Sequence, residues 1–129
     1  MTGIVNEYFN MITEDYVSFE TAKLLKEKGF ENSEPTCINV FKGHTYKIQD
    51  NEIIADDDVI IPTLQMAMKW LRDVHGLFIH IDVIREASCW LADIQDIKGD
   101  VCIFPVEKEF PNYEKACEAA IKYCLENLI

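Results

Sequence analysis

A chain of 129 residues with 49% hydrophobic and 27% charged residues has the composition of one globular domain, not of a disordered or fibrous protein. Its formal net charge of −11 argues against direct nucleic-acid binding, because that affinity rests largely on Lys and Arg contacts to phosphates. No apolar run approaches the roughly 20 residues of a membrane span. We therefore expect a single domain over residues 1–129 that does not enter a membrane.

The cysteines and the start of the chain point to a reducing compartment. Five cysteines form no CxxC pair, and an odd number fits a disulfide framework poorly. The first basic residue is Lys23, so the chain lacks the charged start of a secretion signal. We expect a cytoplasmic protein, and residues 1–17 are a candidate for a loosely attached N-terminal segment.

The first predicted elements are helical. Residues 4–12 carry apolar side chains at near-helical spacing, although the run is short. Ser18 is a good helix cap and Gly29 is a good stop, so the pattern predicts a helix over residues 19–28. Phe30 would then pack back on that helix.

A group of short strands follows. Residues 37–41 and 45–48 alternate like strands and are joined by a short link that contains Gly43, which predicts a hairpin. Residues 52–55 predict a short third strand, and residues 59–61 lead to the next helix.

The stretch over residues 62–83 contains the clearest signals. Thr63 can cap a helix, and Gly76 stands where a helix needs a left-handed stop. Between them lies an apolar stripe at helical spacing, formed by Leu64, Ala67, Met68, Leu71 and Val74. After Gly76 the period changes to two, which predicts a strand with Leu77, Ile79, Ile81 and Val83 on one face and Phe78, His80, Asp82 and Ile84 on the other.

The last third of the chain predicts two strands and a helix. Residues 89–94 alternate again, and residues 101–106 form a strand that Pro105 ends early or confines to an edge. Asn112 caps the final helix, whose continuous stripe is Tyr113, Cys117, Ala120, Ile121, Cys124, Leu125 and Leu128. We expect Cys117 and Cys124 to be core thiols.

The order of these elements predicts an α+β fold. It reads α-β-β-(β)-α-β-β-β-α, with connections too short for repeated parallel crossovers. We therefore expect an antiparallel sheet with the helices packed on one face.

The C-terminal half, with the order α-β-β-β-α from Leu64 to Leu128, resembles double-stranded RNA-binding domains in topology. Those domains present lysines at the start of the last helix, whereas this chain has Glu114, Lys115 and Glu118 there. The likeness therefore implies a layout and no RNA binding.

A second resemblance lies in the segments MITEDYVSFETAKLLKEKGF, PTLQMAMKWLRDVHG and YEKACEAAIKYCLENLI. They are similar to segments of small uncharacterised proteins encoded by phages and mobile elements of gut bacteria. The resemblance implies a small intracellular protein and carries no activity, cofactor or catalytic residue.

His80, Asp82 and Asp93 are the candidate chemical site. If Ile79 and Ile81 face the helices, all three polar side chains point to the opposite face of the hairpin. An imidazole with two carboxylates could bind a divalent metal or act as an acid and base pair. No spacing motif supports a metal site, so ordinary polar residues on a half-solvated face are the favoured interpretation, and no cofactor is expected.

The same outer face predicts a contact surface. It carries Phe78, His80, Ile84, Cys89 and Leu91, and a sheet face with this much apolar surface more often meets another protein than a substrate. Residues 4–12 are an alternative cover. Elsewhere, His75 is expected to interact favourably with the carbonyl end of its helix dipole. Trp70 is expected to lie at the boundary of the core.

Three hypotheses about function follow. The first is a non-enzymatic accessory or protein-interaction module that binds another protein or itself. The second is a small enzyme with a metal-assisted or acid-base site at His80, Asp82 and Asp93. The third is an acidic decoy that imitates nucleic-acid phosphates.

Overall fold

The computed structural model describes residues 12, 14–31, 59–97 and 108–129, together with the backbone of residues 38–41 and 44–47. The elements, in chain order, are α1 (Phe19–Glu27), β1 (Ile38–Phe41), β2 (His44–Lys47), β3 (Val59–Ile61), α2 (Leu64–His75), β4 (Leu77–Ile84), β5 (Cys89–Asp96) and α3 (Tyr113–Tyr123). A π-helical turn, Cys124–Leu128, continues α3 to the end of the chain. The predicted α+β class is confirmed.

The described strands form two antiparallel sheets where the sequence predicted one. One sheet has the order β2-β1-β3, and the other is the hairpin β4-β5. The segment Val59–Ile61, expected only to lead into α2, is a strand that pairs with β1. The predicted helix over residues 4–12 (Ile12 aside) and the predicted strands over residues 52–55 and 101–106 lie outside the described residues.

Helix α1 has the ends that the sequence predicts. The Ser18 hydroxyl accepts a hydrogen bond from the N–H of Thr21 at 3.1 Å. At the other end Gly29 has a φ of +98°, and the N–H of Phe30 donates to the carbonyl of Leu25 at 3.0 Å. Phe30 is buried, so the expected apolar contact after the helix is confirmed.

Helix α2 also begins and ends as predicted, but its stripe differs at one position. Thr63 caps it, and Gly76 ends it with φ 68° and ψ 25°. Val74 is 61% exposed, so its assignment to the buried stripe is wrong. At about 100° per residue, position 74 lies about 80° from Leu64, whereas position 75 lies within about 20° of it. The core side of the last turn is therefore occupied by the half-buried His75.

The hairpin β4-β5 has a continuous register of eight residue pairs. Ile79 lies opposite Ile94, and Ile81 lies opposite Ala92, on the face that meets the helices. Ile94 and Ala92 are buried, and Ile79 and Ile81 pack against the core. The predicted inner face of β4 is confirmed for Leu77, Ile79 and Ile81, whereas Val83 is 48% exposed and does not pack in the core.

Helix α3 is the central element of the core. It contacts α1, α2 and both strands of the hairpin. Five residues of its predicted stripe are fully buried, namely Cys117, Ala120, Ile121, Cys124 and Leu125. The two ends of the stripe, Tyr113 and Leu128, are partly buried against the core, and Ala116, which the stripe did not include, is fully buried. Fully burying an Ile or Leu side chain contributes about 1.5–3 kcal/mol, so this one face supplies much of the stabilising burial.

A carboxylate on α3 completes the cap of α1. Glu118 accepts hydrogen bonds from the backbone N–H of Ser18 at 2.9 Å and from the Ser18 hydroxyl at 2.9 Å. It also accepts one from the hydroxyl of Thr21, which is fully buried. An anion at a helix N-terminus satisfies free N–H groups and opposes the positive end of the helix dipole. The contact joins residues that are 100 positions apart.

We predict that Gly76→Ala lowers the free energy of unfolding by about 1 kcal/mol, measured by urea denaturation. A Cβ at this position would meet no atom within 4 Å, so the loss comes from the positive φ alone. Gly76→Asn, which tolerates the left-handed region, is the control and should lose less. Equal stability of the Ala variant and the wild type would contradict this account.

We predict that Glu118→Ala lowers the free energy of unfolding by about 2 kcal/mol or more, because hydrogen bonds to a charged group contribute about 1.5–3 kcal/mol each. Glu126→Ala, an exposed change on the turn that follows α3, is the matched control and should cost less than about 0.5 kcal/mol. A similar loss in both variants would show that the interhelical cap is unimportant.

Candidate functional site

The predicted trio of polar residues lies together on the outer face of the hairpin. His80 and Asp82 are two positions apart on β4, and the His80 Nε2 atom lies 3.1 Å from the Asp82 Oδ1 atom. Asp93 on β5 lies directly opposite His80 in the register. The strand period of two places all three on one face, so this part of the sequence prediction is confirmed.

The exposure of this trio limits the chemistry it can perform. The His80 and Asp82 side chains are 49% and 58% exposed, so water screens their interaction strongly. Across the described part of the chain, no group of three His, Cys, Asp or Glu side chains has the geometry to hold a metal ion. What the described geometry offers is a polar pair at the centre of a strand, which can accept and donate hydrogen bonds to an approaching surface.

Apolar side chains surround this polar pair. Phe78 is 36% exposed and its ring lies 6.4 Å from that of His80, centroid to centroid. Ile84 and Leu91 are half-buried on the same face. None of these three belongs to the core that the helices cover.

Cys89 needs a correction. The register places it opposite Ile84 on the outer face, as predicted, but it is only 7% exposed. Its burial raises the pKa of its thiol, and the nearby carboxylate of Glu109 raises it further. The reason is the chain after β5: Phe110 exchanges two backbone hydrogen bonds with Trp90, at 2.9 and 2.8 Å, which brings Glu109 beside this end of the hairpin. Cys89 is therefore not a freely accessible contact residue.

Two exposed apolar side chains, Val74 and Ile97, lie with the predicted Phe78 at the opposite end of the hairpin and were not predicted from the sequence. The N–H of Ile97 donates to the carbonyl of Gly76 at 2.9 Å, which joins the end of β5 to the start of β4. Val74, Phe78 and Ile97 all lie at this junction and are 61%, 36% and 56% exposed. The exposure of Val74 could have been predicted from its angular position on α2. The location of Ile97 could not, because it depends on the register between β4 and β5.

The two remaining aromatic candidates are structural. Trp70 lies at the core boundary, as predicted, and packs edge-on against Phe30 and His75, with centroids 5.6 and 4.7 Å away. His75 lies in the last turn of α2, which is the position required for the predicted interaction with the helix dipole. Its Nε2 atom is buried and has no hydrogen-bond partner among the described residues.

Cys117 and Cys124 are free and fully buried, which confirms their assignment as core thiols. Burial raises the pKa of Cys117 to about 11 and that of Cys124 to about 12. Because the reactive species is the thiolate, both side chains are poor nucleophiles in the folded protein.

We predict that iodoacetamide at pH 8 leaves Cys117 and Cys124 unmodified in the folded protein and modifies both in urea, read by mass spectrometry of each peptide. With a pKa of about 11, only about one Cys117 side chain in a thousand is a thiolate at that pH. Folding raises this pKa from 9.0, so its contribution to stability is complete below pH 9 and declines as the pH rises toward 11. Rapid labelling without urea would contradict the burial of this face of α3.

Comparisons with protein-family models, with curated proteins and with solved structures find no match to this chain. Among the helices that the structure describes, none has the length and apolarity needed to cross a bilayer.

Proposed function

We propose that the chain is a protein-interaction module that binds another protein through the outer face of the β4-β5 hairpin. One observation carries this proposal. The inner face of the hairpin contributes Leu77, Ile79, Ile81, Trp90, Ala92 and Ile94 to the helix-covered core, and the outer face contributes none of its hydrophobic residues to it.

The chemistry of the outer face supports a protein as its ligand. Phe78, Ile84 and Leu91 provide apolar area, and His80 and Asp82 provide polar groups between them. Interfaces between proteins combine an apolar centre that contains aromatic residues with polar groups that fix the orientation. A regular strand pair also presents these side chains at fixed spacing without loop ordering, which reduces the entropic cost of binding.

The alternative of a metal-assisted or acid-base enzyme rests on the contact between His80 and Asp82. That contact is half-exposed, and the described residues include no group of three His, Cys, Asp or Glu side chains that could hold a metal ion. The same pair fits a binding surface, so we do not propose catalysis.

The acidic-decoy alternative requires carboxylates aligned along one ridge. The described carboxylates occur on α1, α2, β4, β5 and α3. Several are paired: Glu20 contacts Lys122 at 2.9 Å, and that lysine lowers the pKa of the Glu20 carboxyl through a hydrogen bond and its charge. Glu118 is engaged in the cap of α1. This distribution offers no support for phosphate imitation.

An accessory role in a reducing cytoplasm, and an origin in phages or mobile elements, belong to the same proposal. Three free thiols at Cys89, Cys117 and Cys124 support the reducing compartment. The origin is supported by the sequence resemblance alone.

Site-specific photo-crosslinking in the producing cells tests the proposed surface. We predict that replacing Phe78 with p-benzoylphenylalanine gives discrete crosslinked protein bands, whereas the same replacement at Phe19 on α1, which is 45% exposed, gives none of those bands. Adding Leu91→Lys to the chain that carries the crosslinker at position 78 should abolish the bands, because it places a charge within the apolar area.

Glu27→Lys on α1 is the control for that added lysine and should leave the bands unchanged. Thermal unfolding of each variant verifies that it is folded. Identical band patterns from positions 78 and 19 would contradict an interaction surface on the outer face of the hairpin.

A further inference from the structure

We propose that strand β4 pairs with β4 of a second copy of the chain, antiparallel and centred on Ile81, so that two hairpins form one four-stranded sheet. This inference rests on the proposed function and names a second copy as a partner. It concerns the edge of the hairpin, which lies beside the outer face.

The hydrogen bonds of the hairpin show which backbone groups point to that edge. Gly76 lies opposite Ile97 and accepts its N–H at 2.9 Å, so even-numbered residues of β4 direct their backbone groups toward β5. Trp90 provides an independent check: it lies opposite Val83, and its N–H and carbonyl both bond to Phe110 instead of β4. The alternation therefore directs the N–H and carbonyl groups of Ile79, Ile81 and Val83 away from β5.

Within the part of the chain that the structure describes, this edge lacks several features that commonly prevent strand pairing. Among the described strands, β4 pairs with β5 alone. Its eight residues contain no proline, glycine or lysine, and the unbroken register leaves no bulge. Long regular apolar edges are templates for another strand unless something covers them.

The sequence of β4 is complementary to itself in one register. Centring the antiparallel pair on Ile81 places His80 opposite Asp82 of the second copy, and Asp82 opposite its His80. On the same face Phe78 meets Ile84, and on the inner face Ile79 meets Val83. Apolar side chains face apolar ones, and each imidazole faces a carboxylate, at positions where opposed side chains are closest.

The neighbouring registers are worse. Centring on His80 places two histidines together and sets Phe78 against Asp82, and centring on Asp82 places two carboxylates together. Shifting one of the two β4 strands by a single residue would pair inner-face residues of one copy with outer-face residues of the other. The pairing centred on Ile81 also gives a partner to Val83, which is 48% exposed although it lies on the inner face.

A charge exchange tests the register. In the proposed dimer, His80→Asp places the new carboxylate opposite Asp82 of the other copy at both symmetry-related contacts. Asp82→Lys places the new lysine opposite His80 of the other copy at both contacts. We expect each variant alone to raise the dimer dissociation constant about tenfold or more, measured by analytical ultracentrifugation of the full chain.

An equimolar mixture of the two variants supplies the complementary half of this test. In a mixed dimer the carboxylate introduced at position 80 of one copy faces the ammonium introduced at position 82 of the other. At the second contact, the unchanged Asp82 of the first copy faces the unchanged His80 of the second. The mixture should therefore restore dimers that contain one copy of each variant.

The controls carry the same charge changes on other elements. Lys115→Gln on α3 changes the charge by as much as His80→Asp, and Glu27→Lys on α1 by as much as Asp82→Lys. Both sites are exposed. Neither control should change the dissociation constant by more than about twofold at moderate ionic strength.

Amide hydrogen exchange supplies the second measurement. In the wild-type dimer the N–H groups of Ile79, Ile81 and Val83 should be protected, and in His80→Asp they should exchange rapidly while those of positions 80 and 82 stay protected by β5. A wild type that stays monomeric at about 0.5 mM would overturn the proposal, whether these amides exchange rapidly or are protected by another part of the same chain. So would dimers that the charge exchange does not affect. Photo-crosslinking from position 78 to a different protein does not depend on this outcome, so failure of the edge pairing and failure of the proposed function are distinguishable.

Discussion

The buried face of α3 is the constraint on which the rest of the structure depends. One helix contacts α1, α2, β4 and β5, and six residues between Ala116 and Leu125, on this helix and its π-helical turn, are fully buried. Glu118 lies on the flank of this face and accepts hydrogen bonds from the first residues of α1. Apolar burial brings α1 and α3 together without direction, whereas the hydrogen bonds of the carboxylate to the Ser18 N–H and to the Ser18 and Thr21 hydroxyls are directional and fix their relative position.

That constraint determines the two faces of the hairpin. With α2 and α3 packed on one side, the strand period of two directs Ile79 and Ile81 inward and His80 and Asp82 outward. A shift of one residue would bury a carboxylate and an imidazole and expose two isoleucines, which costs free energy on both counts. The composition of the outer face therefore follows from the packing of the inner one.

Much of this arrangement is local and was predictable. The ends of α1 and α2 are encoded within a few residues by Ser18, Gly29, Thr63 and Gly76, and the faces of β4 follow from alternation alone. The errors arise where a pattern has two solutions. Counted from Leu71, position 74 continues an i, i+3 series and position 75 an i, i+4 series. In the structure His75 is the residue on the core side, in edge-on contact with the ring of Trp70.

The remaining features depend on contacts between distant parts of the chain. No local signal links Glu118 to Ser18, and none indicates that the segment before α3 buries Cys89 while it pairs with Trp90. The division of the strands into two sheets is of the same kind, because alternation predicts that a strand exists but not its neighbour. The proposed pairing of β4 with a second copy combines local and long-range information. The sequence of β4 supplies its self-complementarity, and the register with β5 shows which backbone groups of β4 point away from the hairpin.

The position of His80 and Asp82 on this edge favours recognition over catalysis on physical grounds. Within one chain the pair is half-exposed, and such pairs contribute little to stability. Across an interface, the value of the same pair lies in discrimination, because registers that oppose like groups are rejected while the matched register is retained. His80 and Asp82 are two positions apart on the strand, with Ile81 between them. When two identical strands pair antiparallel about Ile81, each histidine therefore faces the aspartate of the other copy. A histidine and an aspartate in this position can therefore specify the alignment of two identical strands.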